Sequence, residues 1–220
     1  MTHPTWPLFD LRVRTPRLEL RYIDDELATE LALLALKGIH DSATMPFGIP
    51  WTDVASPQLE RNTMQFYWHC RAELTPKDWS MNLATIVDGA VVGTTALVTH
   101  NFPTLREFGT GSWLGREFQG KGFGKEMRVA TLHLGFLGFG GELATTAAWP
   151  DNEPSLGVTR SLGYSTNGTR RALRRDEADV LHEFEMSRAH FVSRLQRDDI
   201  TLHGVEECLP LLGLDASSTA

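Results

Sequence analysis

The sequence predicts a single α+β domain built around a mixed, mostly antiparallel sheet. The expected elements run strand, two helices, at least two strands, a loop and helix, a strand, a helix and a pair of strands, which is not the regular alternation of a parallel α/β sheet. An Asp88-Gly89 dipeptide between two apolar runs indicates a hairpin, which is an antiparallel connection. Hydrophobic content of 41% and charged content of 22% in 220 residues are typical of a globular chain with a sizeable core.

The N-terminal elements follow from periodicity and capping residues. "RLELRYI" (17–23) alternates apolar and polar residues and reads as a strand. A helix is expected over 24–36, with Asp24 as its N-cap and leucines at helical spacing. Residues 41–55 are a loop punctuated by proline and glycine. The second helix is expected to begin with Ser56 as N-cap and Pro57 at the first helical position.

The second half of the chain opens with the hairpin, which we expect over 81–98. A strand over 109–115 then leads into a glycine-rich stretch and a helix over 124–139. The remaining expected elements are a strand over 142–149, a short helix over 151–163, and strands around 164–174 and 180–188. The domain is expected to span residues 1–200, followed by a C-terminal extension over 201–220 whose end, "DASSTA", is predicted to be disordered.

Composition excludes several classes of function. A net charge of −7 and a pI near 5.6 argue against a general nucleic-acid-binding protein. Cys70 and Cys208 form no CxxC pair, and the eight histidines show no HExxH spacing, so we expect two reduced thiols and no metal site. No signal peptide or membrane-spanning segment is visible, so a cytoplasmic protein is predicted.

The stretch "GREFQGKGFGKE" (115–126) carries the strongest functional signal. Glycines alternate at 120, 122 and 124, with Lys121 and Lys125 between and after them. Glycines let a ligand approach the backbone, and free N–H groups at a helix N-terminus bind anions. The pattern therefore predicts an anion-binding loop.

Three other motifs match this loop in part. A Walker A loop, G-x-x-x-x-G-K-S/T, matches from Gly115 to Lys121, but Gly122 stands where a hydroxyl would hold Mg²⁺. A Rossmann fingerprint, G-x-G-x-x-G, fails because Lys125 or Met127 occupies its last position. A glycine-rich turn without function remains possible, because such turns between a strand and a helix are common.

A fourth interpretation fits two segments at once. Gln119-x-x-Gly122-x-Gly124 resembles the Q/R-x-x-G-x-G/A motif of the GNAT acyltransferases. "DNEPSLGVTRSLGY" (151–164) is similar to the N-x-x-S/A-x-x-x-x-x-x-L-G-F/Y segment of that family, with Asn152, Ser155, Leu162, Gly163 and Tyr164 in register, and the resemblance covers residues about 15–190. It implies the GNAT fold, in which two strands splay apart to hold the pantetheine arm of an acyl-CoA.

The resemblance extends to particular branches of the family. "TPRLELR" (15–21) and the pattern GxWLGxEFQGKGFGxE (111–126), including Glu126, are similar to the ribosomal-protein alanine N-acetyltransferases. "WPLFDLR" (6–12) and "MPFGIPWT" (45–52) resemble a mycobacterial GNAT protein associated with succinyl-CoA. The donor implied is acetyl-CoA or succinyl-CoA, as a co-substrate and not as a permanently bound cofactor.

The resemblance also implies a set of CoA-binding residues. The strands over 109–115 and 143–149 would hold the pantetheine, with backbone N–H groups near Trp113 and Leu114 polarising the thioester carbonyl. Asn152 would bind the pantetheine arm. A purely structural role as the N-cap of the following helix is an equally good interpretation of this residue. The full predicted set is Trp113, Leu114, Gln119, Gly120, Lys121, Gly122, Phe123, Gly124, Lys125, Asn152 and Ser155.

The predicted catalytic residues are Ser155 and Glu107. Many GNAT enzymes have a tyrosine as the acid for the thiolate at the position of Thr159, and the resemblance to the ribosomal-protein branch suggests Ser155 instead. Ser155 is equally placed to act only as a capping group. Glu107 is the candidate base, although it lies two residues from the commonest position, where this chain has Gly109, and an exposed strand-end role is the alternative.

The acceptor site is predicted beside the "MPFGIPW" loop. Met45, Phe47 and Trp51 would line it, or would simply plug the edge of the sheet as core. If succinyl-CoA is the donor, its carboxylate needs a partner, for which Arg106 and Arg128 are candidates.

The function predicted is transfer of an acetyl or succinyl group from CoA to an amine of a small molecule or protein. The expected partners are acyl-CoA and the amine, with a homodimer by resemblance and without nucleic acid or membrane. Two alternatives stay open: an inactive acyl-CoA-binding sensor domain, and a P-loop NTPase.

Overall fold

The computed structural model describes residues 3–215, which form a nine-stranded sheet with helices on both faces. The strands are β1 (Arg12–Arg14), β2 (Glu19–Tyr22), β3 (Trp79–Val87), β4 (Ala90–Thr99), β5 (Glu107–Leu114), β6 (Leu143–Ala148), β7 (Ser165–Arg174), β8 (Glu177–Ser187) and β9 (Thr201–His203). Their order across the sheet is β7-β8-β6-β5-β4-β3-β2-β1-β9. Of the strands described here, only β5 and β6 pair in parallel, so the predicted α+β, mostly antiparallel architecture is confirmed.

Six α-helices are described within these residues. They are α1 (Asp25–Leu36), α2 (Gln58–Ala72), α3 (Phe102–Leu105), α4 (Phe123–His133), α5 (Glu153–Ser161) and α6 (Arg188–Arg194). Short 3₁₀ segments lie at Pro7–Asp10, Trp51–Asp53, Arg116–Phe118, Glu206–Cys208 and Pro210–Leu212. Among the residues of this part of the chain, no helix is long and apolar enough to cross a bilayer.

The helices cover opposite faces of the sheet because strand side chains alternate. Ala84 of β3 belongs to an apolar cluster with α1 and α2 residues such as Leu27 and Tyr67. The next residue, Thr85, points the other way and contacts Met127 of α4, with 2.9 Å between Oγ1 and Sδ. The sheet therefore separates an α1/α2 side from an α4 side. The two cavities of the molecule are divided by the same sheet.

The core on the α4 side is built around Phe108 of β5. A Cβ at Gly135 would lie 2.3 Å from the Phe108 ring, and one at Gly141 would lie 2.6 Å from it. Gly135 belongs to a π-helical turn over Leu134–Gly138 that continues α4. The helix predicted over 124–139 thus ends its α-helical part at His133 and continues as this π-helical turn. Glycines at 135 and 141 leave the space that the Phe108 ring fills.

Several predicted boundaries agree with the structure. Asp24 caps α1 by accepting a hydrogen bond from the backbone N–H of Leu27 (2.8 Å), and the Asp88-Gly89 turn joins β3 to β4. The predicted N-cap of the second helix is wrong. Helix α2 begins at Gln58, Pro57 occupies the N-cap position, and the Ser56 hydroxyl donates instead to Glu60 (2.6 Å).

The sequence did not predict β1, β9, α3 or α6. β9 pairs antiparallel with β1, so residues 201–203 of the expected extension form an edge of the sheet. The division of the chain at residue 200 stays a prediction. Residues 216–220 of the tail predicted to be disordered lie outside the described residues.

Candidate active site

A cleft opens where β5 and β6 part. The two strands pair only at Glu107–Gly109 and Leu143–Thr145. Beyond those positions β5 stays paired with β4 as far as Leu114, and β6 stays paired with β8 as far as Ala148. The space between the diverging strands is a cleft of about 640 Å³.

The free edge of β5 supplies polar groups to this cleft. The backbone N–H of Gly115 donates to β4 (2.9 Å), whereas the carbonyl of Thr110 faces β6 and accepts a hydroxyl from it (3.1 Å). Because peptide groups alternate along a strand, those of Ser112 and Leu114 face the cleft. The backbone N–H of Trp113 faces β4, and the Trp113 ring packs on the α1/α2 side of the sheet, 5.8 Å from the Trp51 ring between centres.

The glycine loop lies at the mouth of the cleft and leads into α4. Gly120 and Gly122 have φ angles of 73° and 83°, the left-handed region that favours glycine. Within the described structure, the backbone N–H groups of residues 120–125 make no hydrogen bond to another residue. Unpaired N–H groups at the positive end of a helix form an anion site, and the exposed Lys121 and Lys125 add positive charge.

Gln119 supports the loop from below. Its side-chain amide donates to the backbone carbonyls of Ile39 (2.7 Å) and Leu114 (2.9 Å). These bonds tie the loop to the end of β5 and to the segment that follows α1. Gln119 was predicted to bind the cofactor, and in this arrangement its side chain positions the residues that would do so.

An ion pair holds the first turn of α4. Arg17 contacts the carboxylate of Glu126 at 2.6 Å, donates to the carbonyl of Lys121 (3.2 Å), and lies 5.1 Å from the centre of the Phe123 ring. Burial would raise the pKa of Glu126, but hydrogen bonds from Thr15 and Arg17 bring it below its ordinary value. The carboxylate is therefore charged, and it fixes the loop between Lys121 and Phe123.

Asn152 and Ser155 line the opposite side of the cleft at the start of α5. The Asn152 side chain accepts a hydrogen bond from the backbone N–H of Ser155 (3.3 Å), so it acts as the N-cap of this helix. The Ser155 hydroxyl is half-buried and makes no hydrogen bond with the rest of the described chain. It is therefore free to donate a proton to a group in the cleft.

Glu107 lies far from this arrangement. It is exposed at the closed end of β5 and lines neither cavity of the site. At a strand rise of about 3.3 Å per residue, it stands about 13 Å from Gly111. A general base must come within hydrogen-bond reach of its proton or act through one water, so Glu107 is not placed to accept a proton directly.

Arg128 of α4 lies on the floor of the cleft and is 4% exposed. Its guanidinium donates to the hydroxyls of Thr146 (3.1 Å) and Ser112 (3.4 Å), and its Nε has no partner. No carboxylate of residues 3–215 lies within ion-pair distance of it. Arg106, the other candidate for binding a carboxylate, lies over the Phe102 ring (5.9 Å) and does not line the cleft.

A second cavity of about 260 Å³ lies on the α1/α2 side of β5. Phe47 and Trp51 line it, and Trp51 lies 5.8 Å from Trp113 between ring centres. Met45, the third residue predicted here, is buried and lines neither cavity. The other residues that line this second cavity were not predicted from the sequence. They are Ile49, Asn62, Thr63, Phe66, Tyr67, Asn82, Thr94, Thr95, Ala96, Gly111 and Ser112.

Arg174, the last residue of β7, holds the loop that carries Phe47 and Trp51. Arg174 lies over the Trp149 ring and donates to the carbonyl of Met45 (2.8 Å). It also pairs with Asp151 (2.8 Å), whose hydrogen bond raises the pKa of the guanidinium. These contacts hold the aromatic loop against the mouth of the cleft.

The described residues contain no group of three His, Cys, Asp or Glu side chains that would hold a metal ion. Solved structures with the same fold include a putative ribosomal-protein-serine acetyltransferase from Vibrio cholerae (20% identity, 85% of this chain and 99% of that one, TM-score 0.62). Another is the ribosomal-protein-S5-alanine acetyltransferase from Vibrio fischeri (17% identity, 80% and 96%, TM-score 0.63).

A third solved structure with the same fold is that of the ribosomal L7/L12 alpha-N-protein acetyltransferase RimL in complex with coenzyme A (16% identity, 79% of this chain and 95% of that one, TM-score 0.63). At identities of 16–20%, these likenesses show that the fold is shared. A family model described as an acetyltransferase (GNAT) domain matches residues 17–165. Because that match spans well over half of the chain, and the splayed strands and glycine loop lie within it, the protein belongs to the GNAT acetyltransferase family.

Proposed function

We propose that this protein is an N-acyltransferase that moves an acetyl or succinyl group from coenzyme A to an amine. The observation that carries the proposal is the cleft between β5 and β6, with unpaired backbone N–H groups at both ends. The N–H groups of residues 120–125 suit the CoA pyrophosphate. The free edge of β5 suits the amides of pantetheine, which can pair with it as another strand would.

The reaction needs no covalent enzyme intermediate. The amine nitrogen attacks the thioester carbon, a C–N bond forms, the C–S bond breaks, the amine loses one proton to water, and the leaving sulfur gains one proton. The backbone N–H groups of Ser112 and Leu114 face the cleft and would stabilise the negative charge that develops on the carbonyl oxygen. Gly122, Gly124 and the start of α4 would hold the donor in place.

Ser155 is proposed to protonate the leaving thiolate. Its hydroxyl faces the cleft, and it lies in the first turn of α5, whose positive end favours a developing negative charge on sulfur. Glu107 is not used in this mechanism, because it lies too far away. The amine loses its proton to water at the open side of the cleft, and water returns a proton to the Ser155 oxygen.

Arg128 favours succinyl-CoA over acetyl-CoA as the donor. A buried guanidinium without an acidic partner is costly unless an anion pairs with it. The free carboxylate of a succinyl group would supply that anion between Ser112 and Thr146. An acetyl group would leave Arg128 with only its two hydroxyl partners.

The experiment begins with mass spectrometry of any CoA thioester that co-purifies with the protein. Release of free CoA is then measured with acetyl-CoA and succinyl-CoA and a panel of amines. Tight binding of the thioester without turnover on any amine would contradict the proposal and indicate a sensor domain. Binding of ATP that requires Mg²⁺ would indicate a P-loop NTPase instead.

Gly122→Val tests the loop itself. A side chain at this left-handed position strains the backbone, and its Cβ would lie 3.3 Å from Arg17. We expect CoA affinity to fall at least tenfold. Gly89→Val is the matched control, because Gly89 also has a positive φ (80°) but lies in the distant β3–β4 turn. Unchanged affinity in Gly122→Val, or an equal loss in both variants, would contradict the assignment.

A further inference from the structure

The second cavity, which we call the acceptor cavity, communicates with the cleft through β5. Both spaces are lined by Phe47, Gly111, Ser112 and Trp113. Side chains at odd-numbered positions of β5 face the α1/α2 side, so Gly111 leaves an opening where another residue would place a side chain. A Cβ there would meet no atom within 4 Å. An amine in the acceptor cavity can therefore approach a thioester held in the cleft.

From this cavity we infer the class of the acceptor: a primary amine attached by a short arm to a single apolar, aromatic-sized body. The inference rests on the proposed function and adds the substrate class to it. Three properties of the acceptor cavity support it: its apolar lining, its lack of charged groups and its volume.

The apolar lining consists mainly of aromatic rings. It comprises Phe47, Ile49, Trp51, Phe66, Tyr67, Ala96 and Trp113. Aromatic side chains offer flat surfaces on which an aromatic ring packs edge-to-face or offset. The polar residues of the lining are already engaged: Thr63 donates to the carbonyl of Leu59 (2.8 Å), and Thr94 donates to that of Leu83 (2.9 Å). A polar acceptor would find few free donors here.

No charged residue lines the acceptor cavity within the described chain: Asp, Glu, Lys, Arg and His are all missing from it. A second ammonium group, as in a polyamine, or a carboxylate, as in an amino acid, would be buried without a counter-ion, which is strongly unfavourable. Burial in apolar surroundings also lowers the pKa of the reacting amine and favours its neutral, nucleophilic form. Within the described residues no carboxylate lines the acceptor cavity, so this lowered pKa is what supplies the neutral amine there.

The volume of about 260 Å³ limits the acceptor to a small molecule. It lies just below the range of about 300–1,000 Å³ that is typical of drug-sized ligands. One aromatic ring and a two-carbon arm fit such a space, whereas a protein N-terminus would place only its first residue there.

The first test compares acceptors on the wild-type protein with the donor that supports turnover. Phenethylamine and tryptamine are compared with putrescine and with a short peptide that has a free N-terminal alanine. We expect kcat/KM for the arylalkylamines to exceed that for putrescine by about 30-fold or more, from the burial of one ring. Equal or faster reaction of putrescine or the peptide would overturn this inference while leaving the proposed function intact. No reaction with any amine would contradict both.

The second test introduces a counter-ion. Asn62→Asp places a carboxylate in the acceptor cavity, and it keeps the hydrogen bond that Asn62 Oδ1 accepts from Gln58 (2.7 Å). The ratio of kcat/KM for putrescine to that for phenethylamine should rise at least tenfold. Gln65→Glu is the control, since it adds the same charge to an exposed position of α2 outside the cavity and should leave the ratio unchanged. An unchanged ratio in Asn62→Asp would show that the acceptor binds elsewhere.

Discussion

Arg128→Gln should convert a succinyl-preferring enzyme into one that prefers acetyl-CoA. The substitution removes a buried positive charge from the cleft floor and keeps a side-chain amide that can still donate to Thr146. Breaking a buried ion pair by removing one partner costs about 3–5 kcal/mol. Taking the lower value, kcat/KM for succinyl-CoA should fall by more than about 100-fold.

A parallel measurement with acetyl-CoA makes this prediction specific. An acetyl group ends in a methyl group and has no charge for Arg128 to pair with, so its kcat/KM should change by less than about threefold. Arg128 also links β5 to α4 through Ser112, so the variant can lose some folded protein. Both donors are measured on one preparation, and the ratio of their kcat/KM values is independent of the folded fraction. Arg128→Lys retains the charge and should recover part of the succinyl-CoA activity.

Two results would refute the reasoning about Arg128. An equal loss with both donors would mean that Arg128 only braces the diverging strands. A wild-type enzyme that uses acetyl-CoA and not succinyl-CoA would mean that the buried guanidinium is stable with hydroxyl partners alone. In either case the N-acyltransferase proposal would stand, because it depends on the glycine loop and on the edge of β5.

Two further predictions concern Ser155 and His133. Ser155→Ala should lower kcat by about 100-fold with little change in donor KM. Ser161→Ala, on the same helix, is the control and should leave kcat unchanged. Equal effects of the two substitutions on kcat would exclude a proton donor at Ser155. Burial lowers the pKa of His133 to about 4, so the unfolded chain takes up its proton first, near pH 6.5. The free energy of unfolding should fall by up to about 3 kcal/mol between pH 6.5 and 4, and thermal unfolding of His133→Gln should lack this pH dependence.

The elements with a local chemical signal were predictable from the sequence. Asp24 satisfies an N–H group three residues away, and the Asp88-Gly89 pair supplies the backbone angles of a tight turn. β1 and β9 have no such signal. Each is three residues long, and they pair across nearly the whole length of the chain, so only the assembled sheet defines them.

The parts of the site likewise differ in whether a local stretch of sequence signals them or only the fold brings them together. The glycine loop is a contiguous segment, so its anion-binding character was visible in the sequence. The acceptor cavity combines Phe66 of α2 with Trp113 of β5 and the loop around Phe47, which only the tertiary fold brings together. In the sequence, Phe66 reads as one more apolar residue of an amphipathic helix. The distance of Glu107 from the cleft likewise follows from where β5 begins, which was predicted two residues too late.

The three parts of the site depend on the register of β5. Its free edge presents the peptide groups of Ser112 and Leu114 to the donor, the Ser112 side chain meets the arginine of α4, and Gly111 opens toward the acceptor cavity on the other face. Since side chains alternate with a period of two, a shift of one residue would exchange these faces. Gly93 of β4 fixes the register from the other edge, because a Cβ there would lie 2.2 Å from the carbonyl oxygen of Trp113. A larger residue at Gly93 would therefore push β5 away from β4 and disturb the donor edge and the acceptor opening together.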